Sequence, residues 1–185
     1  METAQEKKIL RKQMREKKKE FSQEQKKELS LPVFNRIEAL DEFKKAHCIL
    51  LYWSMDDEVY THDFINKWYK DKTILLPCVA GDDLILRQYQ GIESMIAGEQ
   101  FGILEPRGAV YQDYASIDLM IIPGVAFDAM KNRMGRGRGF YDRLLKTCGC
   151  EKFAVCFDFQ IVEKVPTEEF DVKMDKVIST SRIYN

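Results

Sequence analysis

The sequence predicts an α/β protein with one domain, a mostly parallel sheet and helices on both faces, as in a Rossmann-like three-layer sandwich. Short apolar runs, typical of buried strands, alternate along the chain with amphipathic segments of helical spacing. No internal repeat or low-complexity linker interrupts this alternation. With 185 residues, of which 45% are hydrophobic, residues 1–185 are predicted to share a single core.

The elements follow from apolar spacing, caps and breakers. A first helix is predicted over residues 4–20, and a second helix begins after a capping box at Ser22. Further helices are predicted over residues 61–70, 92–97 and 140–146. Strands are predicted over residues 47–53, 73–79, 84–89, 117–122, 153–158 and 177–180, with residues 101–106 extended. Pro32 either kinks the second helix or begins a new one. Thr61 is predicted to cap the helix that follows it.

Composition and charge exclude several classes of protein. The 29 Lys and Arg residues nearly balance the 30 Asp and Glu residues, so no nucleic acid partner is expected. No apolar run approaches the ~18–20 residues of a membrane span, and the charged start of the chain does not resemble a secretory signal. Five cysteines without framework spacing indicate reduced thiols in a cytoplasmic protein. Cys148 and Cys150 lack the second Cys/His pair that a metal site needs.

The most informative stretch is residues 123–143, where a glycine-rich loop separates a predicted strand from a predicted helix. The loop alternates glycines with arginines: Arg133, Gly135, Arg136, Gly137, Arg138 and Gly139. Glycines allow a ligand to approach the backbone, while N–H groups, the helix dipole and guanidinium forks favour phosphate. Because the spacing matches neither a P-loop nor Gly-x-Gly-x-x-Gly, a flexible surface loop and an RNA-contacting segment remain alternatives.

The whole stretch resembles a known family. Pro-Gly-x-Ala-Phe-Asp at 123–128 and Asn-Arg-Met-Gly-Arg-Gly-x-Gly-Phe-Tyr-Asp-Arg at 132–143 are similar to the signature of 5-formyltetrahydrofolate cyclo-ligase, also called methenyltetrahydrofolate synthetase. The resemblance extends from residue 7 to residue 180. Lys131 stands where the family usually has glycine, and Met134 and Phe140 replace the more usual Leu and Tyr. If that glycine adopts a positive φ, Lys131 is strained.

The resemblance implies an activity. Family members convert 5-formyltetrahydrofolate and ATP to 5,10-methenyltetrahydrofolate, ADP and phosphate, with Mg²⁺. Transfer of the γ-phosphate to the formyl oxygen gives a phosphorylated intermediate, which N10 of the folate attacks. No Cys-His or Ser-His pair is apparent, which agrees with direct phosphoryl transfer, and His62 is interpreted as a surface residue. A monomer with no membrane partner is expected.

The resemblance also implies which residues form the site. The residues assigned to catalysis are Arg133, Arg136, Arg138 and Tyr141. The residues assigned to ATP are Lys7, Arg11, Arg133, Met134, Gly135, Arg136, Gly137, Arg138, Gly139, Phe140 and Tyr141. The residues assigned to the folate are Trp53, Met55, Glu58, Phe101, Arg136, Arg138 and Phe140. Mg²⁺ is assigned to Asp142 and Asp171.

Some of these residues also have a purely structural explanation. Trp53, Met55 and Phe101 are equally well explained as core residues, and Asp142 as a carboxylate that offsets a helix dipole. Spacing i, i+4 places Lys7 and Arg11 on one helical face, where both can reach one phosphate chain. The other basic residues of the first helix are interpreted as solvated: Lys8, Lys12, Arg15, Lys17, Lys18 and Lys19.

Three other functions remain open at this point. A phosphosugar isomerase or acyl-CoA-type enzyme on a similar scaffold needs a carboxylate at the loop but no ATP. An RNA-binding module would use the arginine-glycine loop and the basic first helix, with strongly salt-dependent affinity. A folate-binding protein that has lost catalysis is suggested only by Lys131.

Overall fold

A seven-stranded sheet forms the centre of the computed structural model, which describes residues 2–98 and 102–185. The strands are β1 Cys48–Leu50, β2 Thr73–Ala80, β3 Asp83–Gln88, β4 Met95–Ala97, β5 Leu104–Pro106, β6 Leu119–Ile122, β7 Ala126–Asp128, β8 Arg133–Met134, β9 Glu151–Val155, β10 Ile161–Val162, β11 Lys176–Ile178 and β12 Ile183–Tyr184. The helices are α1 Glu2–Lys19, α2 Gln23–Ala39, α3 Asp41–Lys45, α4 His62–Trp68 and α5 Phe140–Leu144.

The strand order in this sheet is β12-β11-β9-β6-β1-β2-β3. The inner strands β11, β9, β6, β1 and β2 pair in parallel, whereas β3 and β12 close the edges in antiparallel pairs. The predicted mostly parallel sheet is therefore confirmed. The chain leaves β1 toward β2 and later returns to the other side of β1 as β6, so a crevice opens beyond the carboxyl ends of β1 and β6.

Helices cover the two faces of the sheet unequally. Side chains of α2, α3 and α4 pack with Ile49, Leu51 and neighbouring strand residues in one apolar cluster. Alternation along β1 turns Leu50 to the opposite face, where Leu144 and loop residues cover it. The helix α1 lies apart and packs Met14 onto a smaller cluster beside β7 and β8. The sandwich thus has a full helical layer on one side and a thin layer on the other.

Most predicted elements form, with two corrections. The capping box at Ser22 is present, and α2 runs through Pro32 without a second start. The predicted helix at residues 92–97 is wrong, because only Ile92–Ser94 form a single 3-10 turn and Met95–Ala97 form β4. The extended segment that ends at Pro106 supplies a strand partner, β5, for these residues. The short strands β7, β8, β10 and β12 were not predicted.

Lys131 occupies the left-handed region, with φ 66, and is the sole non-glycine residue with positive φ in the described part of the chain. The buried Asp128 carboxylate imposes this turn by accepting hydrogen bonds from the backbone N–H groups of Met130 and Asn132, both at 3.0 Å. The Lys131 carbonyl in turn accepts from Met174 N at 3.1 Å. The loop therefore keeps a glycine-like backbone although it carries a lysine.

We expect Lys131→Gly to stabilise the fold by up to about 1 kcal/mol, because relief of left-handed strain exceeds the extra freedom of glycine in the unfolded chain. Urea unfolding measures this change. Met130→Gly is the matched control, since Met130 is exposed, adjacent and lacks positive φ. The Met130→Gly variant should lose stability. Equal effects of the two variants would contradict the assignment of strain to Lys131.

Candidate active site

A cavity of about 330 Å³ lies at the crevice beyond β1 and β6. Its walls come from the segments after β1 and β6, from β2 and β3, from the β4–β5 hairpin, and from the glycine-rich loop with α5. The predicted site residues on these walls are Trp53, Met55, Glu58, Arg133, Gly135, Arg136, Arg138, Gly139, Phe140, Tyr141 and Asp142. Most of the residues singled out in the sequence therefore surround one cavity.

Hydrogen bonds within residues 52–61 hold the loop after β1. Tyr52 donates its hydroxyl to Val59 O at 2.9 Å, and the Thr61 hydroxyl donates to Tyr52 O at 2.6 Å. Ser54 and Thr61 each donate a backbone N–H to the hydroxyl of the other, at 3.1 Å. The predicted capping role of Thr61 is wrong, since its side chain makes no cap hydrogen bond and closes this loop instead.

Trp53 forms an aromatic wall of the cavity. Its ring stacks on His62 with 3.7 Å between centroids and lies 5.7 Å from the ring of Tyr89. His62 is half-buried, contacts Ser54 O through Nε2 at 3.1 Å, and has a pKa lowered by burial. The interpretation of His62 as a plain surface residue is therefore wrong, because it supports the Trp53 ring. Trp53 itself both packs on the core and faces the cavity.

A row of alternating charges connects α1 to the cavity. Lys18 donates from Nζ to Asp57 Oδ2 at 3.0 Å. Arg136 donates from Nη2 to Asp57 Oδ1 at 2.5 Å and to Glu58 Oε1 at 3.1 Å. Met55 N donates to the other Glu58 oxygen at 3.0 Å. The interpretation of Lys18 as solvated is wrong, because this residue is only 4% exposed.

The two carboxylates of this row have opposite pKa shifts. Burial raises the pKa of Glu58, although Arg136 and the backbone N–H of Met55 partly oppose the shift. Burial also acts to raise the pKa of Asp57, but the charges of Lys18 and Arg136 outweigh it and lower that pKa. The proximity of Arg136 favours the ionised form of both groups.

Arg133 is the most deeply buried arginine of the loop, at 4% exposure. Its guanidinium donates from Nη2 to Asp142 Oδ1 at 2.9 Å and from Nη1 to Pro123 O at 3.2 Å. The Nε group is buried and has no hydrogen-bond partner within the described residues. An unpaired buried N–H is costly, and the same side chain lines the cavity.

The glycine-rich loop combines unusual backbone angles with support from α1. Gly137 and Gly139 have φ values of 105 and 68. Arg11 donates from Nε to Gly135 O at 3.0 Å, and a Cβ added at Gly137 would come within 3.3 Å of its guanidinium carbon. The helix α5 that follows the loop is short, with five residues. The arginines add fixed positive charge to the loop.

The far side of the loop is held by Arg143. This residue donates from Nε to Asp83 Oδ1 at 2.8 Å and from Nη1 to Arg138 O at 3.1 Å. The guanidinium groups of Arg138 and Arg143 lie 5.9 and 5.5 Å from the centroid of the Phe140 ring. Burial raises the pKa of Tyr141, so its hydroxyl stays protonated and can donate a hydrogen bond in the cavity.

The carboxylates predicted to bind Mg²⁺ are each paired with a cation. Asp142 accepts from Arg133, and Asp171 accepts from Lys7 Nζ at 2.6 Å. Lys7 also donates to Glu168 at 2.7 Å, and these contacts outweigh burial and raise the pKa of Lys7. No group of three or more His, Cys, Asp or Glu side chains within residues 2–98 and 102–185 could hold a metal ion. The structure thus does not bring the two aspartates together in a preformed metal cage.

Some assigned residues lie outside the cavity lining. The cavity lining does not include Lys7, Arg11, Gly137 or Asp171, and the Met134 side chain is buried under α1. Phe101 lies outside the described residues. Sequence reasoning assigned no role to Glu105, which lines the cavity and accepts from Val79 N at 3.1 Å. Its position within Gly-Ile-x-Glu-Pro was the available signal.

Comparison with known proteins identifies the family. Residues 3–180 match the model of the 5-formyltetrahydrofolate cyclo-ligase family. This chain belongs to that family. The family assignment made from residues 123–143 is thereby confirmed, as is the prediction of a ligase-class enzyme.

Relatives of known name span nearly the whole chain. The 5-formyltetrahydrofolate cyclo-ligase of Escherichia coli K12 is 29% identical over 181 residues, covering 92% of this chain and 98% of that protein. The cyclo-ligase of Haemophilus influenzae is 33% identical over 148 residues, or 75% of this chain and 79% of that protein. The NMR structure of Aquifex aeolicus 5,10-methenyltetrahydrofolate synthetase has a TM-score of 0.87 and 32% identity, covering 97% of this chain and 92% of that one.

The shifted pKa of Glu58 predicts a pH dependence of stability. A raised folded-state pKa stabilises the fold below the unfolded value, about 4.5, and this contribution is lost as pH rises through the folded pKa. The free energy of unfolding of wild type minus that of Glu58→Gln should therefore fall as pH rises from about 4 toward neutrality.

Urea titrations across this range measure the difference. Asp57→Asn is the matched control, because the lowered pKa of Asp57 gives the opposite sign. The contribution of the Asp57 carboxylate to stability is present above its unfolded pKa and is lost as pH falls through its folded pKa. A wild-type advantage over Glu58→Gln that grows with pH would contradict the assignment.

Proposed function

We propose that this cavity converts 5-formyltetrahydrofolate and ATP to 5,10-methenyltetrahydrofolate, ADP and phosphate, with Mg²⁺ required. The observation that carries the proposal is the buried Arg133, whose Nε lacks a partner beside the arginine-glycine loop. This phosphate-compatible end adjoins a second end with an aromatic wall and a buried carboxylate. The names of the relatives agree with the folate half of this assignment and with a ligase.

The folate is proposed to occupy the end formed by Trp53, Met55 and Glu58. The Glu58 carboxylate can accept hydrogen bonds from the amino and ring N–H groups of a pterin. Trp53 and Phe140 offer ring faces, and Met55 offers a polarisable apolar contact. Phe101 keeps its proposed role in stacking on the folate.

The phosphates of ATP are proposed to lie against the glycine-rich loop. Gly135, Gly137 and Gly139 let the nucleotide approach the backbone, and Arg133 and Arg138 offset its charge. Arg11 and Lys7 add charge from α1. The remaining contacts assigned to ATP are proposed for Met134, Arg136, Phe140 and Tyr141.

The chemistry requires alignment more than a protein nucleophile. The formyl oxygen attacks the γ-phosphorus, ADP leaves, and the formyl carbon becomes electrophilic. N10 then attacks this carbon and gives up its proton, and phosphate departs with the former formyl oxygen and can take up that proton. Arg133, Arg136, Arg138 and Tyr141 are proposed to orient the reacting oxygens and stabilise the charge that develops on them.

Mg²⁺ fits the available donors as a nucleotide-bound ion. Such an ion usually takes one or two protein carboxylates and leaves its other positions to phosphates and water. Asp142 and Asp171 are the proposed carboxylates, and a bound Mg²⁺ would offset phosphate charge. Each of these carboxylates forms an ion pair with a protein cation, so Arg133 and Lys7 would share them with Mg²⁺.

We also propose a monomeric, cytoplasmic protein without nucleic acid or membrane partners. The five cysteines are free thiols, which suits a reducing compartment. Among the described residues, no helix is both long and apolar enough to cross a bilayer.

Absorbance in the methenyl-folate band, after mixing protein, ATP, Mg²⁺ and 5-formyltetrahydrofolate, tests the proposal. Signal growth that needs both ATP and Mg²⁺ is the expected result. Saturable binding of both ligands without signal would point to a folate-binding protein that has lost catalysis. Absence of any binding would overturn the assignment.

Arg138→Met should reduce kcat by roughly 10²-fold or more, because it removes a donor that stabilises transition-state charge. Arg138 is exposed, so the fold should tolerate the change, and circular dichroism checks this. Arg107→Met is the matched control, since Arg107 is an exposed arginine outside the cavity lining. Equal activity of the two variants would contradict the role of Arg138.

A further inference from the structure

Lys18 is a buried cation that the proposed function does not use. It lies in the last turn of α1 between Lys17 and Lys19, which are both exposed. Its Nζ donates to Asp57, and burial lowers the pKa of Lys18 although Asp57 opposes this. A buried ion pair gives little net stability, because both charges lose their hydration. Lys18 is therefore poorly explained as a stabilising contact alone.

The contacts of Asp57 transmit the position of Lys18 to the cavity. Asp57 binds Lys18 with Oδ2 and Arg136 with Oδ1, so each carboxylate oxygen holds one cation. Arg136 uses the same Nη2 for Asp57 and for Glu58. Its Nε and Nη1 make no side-chain hydrogen bond within residues 2–98 and 102–185, and Arg136 lines the cavity. One edge of this guanidinium is thus anchored and the rest can meet a ligand.

We propose that Lys18 is a positioning residue that fixes the Asp57 carboxylate and, through it, the Arg136 guanidinium over the cavity. What Arg136 then binds, an oxygen of the formyl group or of the transferred phosphate, rests on the proposed function. Asp57 lies on a loop and its side chain is 39% exposed, so without Lys18 it can turn toward solvent. Lys18 ties that carboxylate to an 18-residue helix.

The positive charge of Lys18 should also help Arg136 to attract a ligand. While Lys18 shares Asp57, the carboxylate neutralises Arg136 only in part. Without Lys18, the whole charge of Asp57 would fall on Arg136 and weaken its attraction for an anionic ligand. Both effects reach the reacting groups through Arg136, which gives the proposal a specific test.

The test compares kcat/KM for Lys18→Met, Lys18→Arg and Lys19→Met. We expect Lys18→Met to lower kcat/KM about tenfold and Lys18→Arg to recover much of the loss, because it keeps a cation on Asp57. Lys19→Met is the matched control, since Lys19 is exposed and contacts Glu16. Unchanged kcat/KM in Lys18→Met would overturn the proposal.

An Arg136→Met background separates positioning from general loss of stability. Because Lys18 acts through Arg136, Lys18→Met should change kcat/KM less than about twofold in this background. A loss as large as in the wild-type background would show that Lys18 acts on folding or on another group, and would overturn the proposal.

Nitrogen-15 NMR of the Arg136 guanidinium tests positioning without any catalysis. We expect restricted rotation of this group in wild type and in Lys19→Met, and faster rotation in Lys18→Met. If wild type releases no ADP with formyl folate, the proposed function fails, and this NMR comparison still decides the role of Lys18. Equal rotation of the Arg136 guanidinium in all three proteins would overturn the positioning role of Lys18.

Discussion

The site depends on the buried guanidinium of Arg133. This group joins the end of β6, through Pro123 O, to the start of α5, through Asp142. The intervening loop is rich in glycine and has little intrinsic preference for one conformation. A buried charge with two fixed acceptors supplies that preference, although its Nε has no hydrogen-bond partner among the described residues. Arg133 therefore holds the loop in place and also lines the cavity.

Charge pairing around the cavity extends this arrangement. Lys7 holds Asp171, Lys18 holds Asp57, and Arg136 bridges Asp57 and Glu58. Each of these carboxylates is thus paired with a cation in the structure. Under the proposed function, a ligand that enters this network would exchange partners with it, so little reorganisation would be needed when substrate charge develops.

The sequence was sufficient for the fold class and for much of the cavity lining, because strand-like apolar runs and an ordered signature are local patterns. It failed where long-range contacts decide. Lys18 looks solvated among lysines, and only tertiary contact with Asp57 reveals its burial. The sequence of residues 92–97 suggests a helix, but residues 95–97 pair as a strand with the extended segment that ends at Pro106. Thr61 has the chemistry of a cap, yet the loop after β1 uses its hydroxyl.

The most direct test of the central claim follows the formyl oxygen. A single turnover with ATP, Mg²⁺ and 5-formyltetrahydrofolate labelled with oxygen-18 in the formyl group, in unlabelled water, is followed by mass analysis of the released phosphate. Direct phosphoryl transfer at the arginine-glycine loop predicts that the phosphate carries the label, because the formyl oxygen leaves with it. Unlabelled phosphate would mean that water attacked the nucleotide, and would contradict the account of a site that aligns formyl oxygen with ATP.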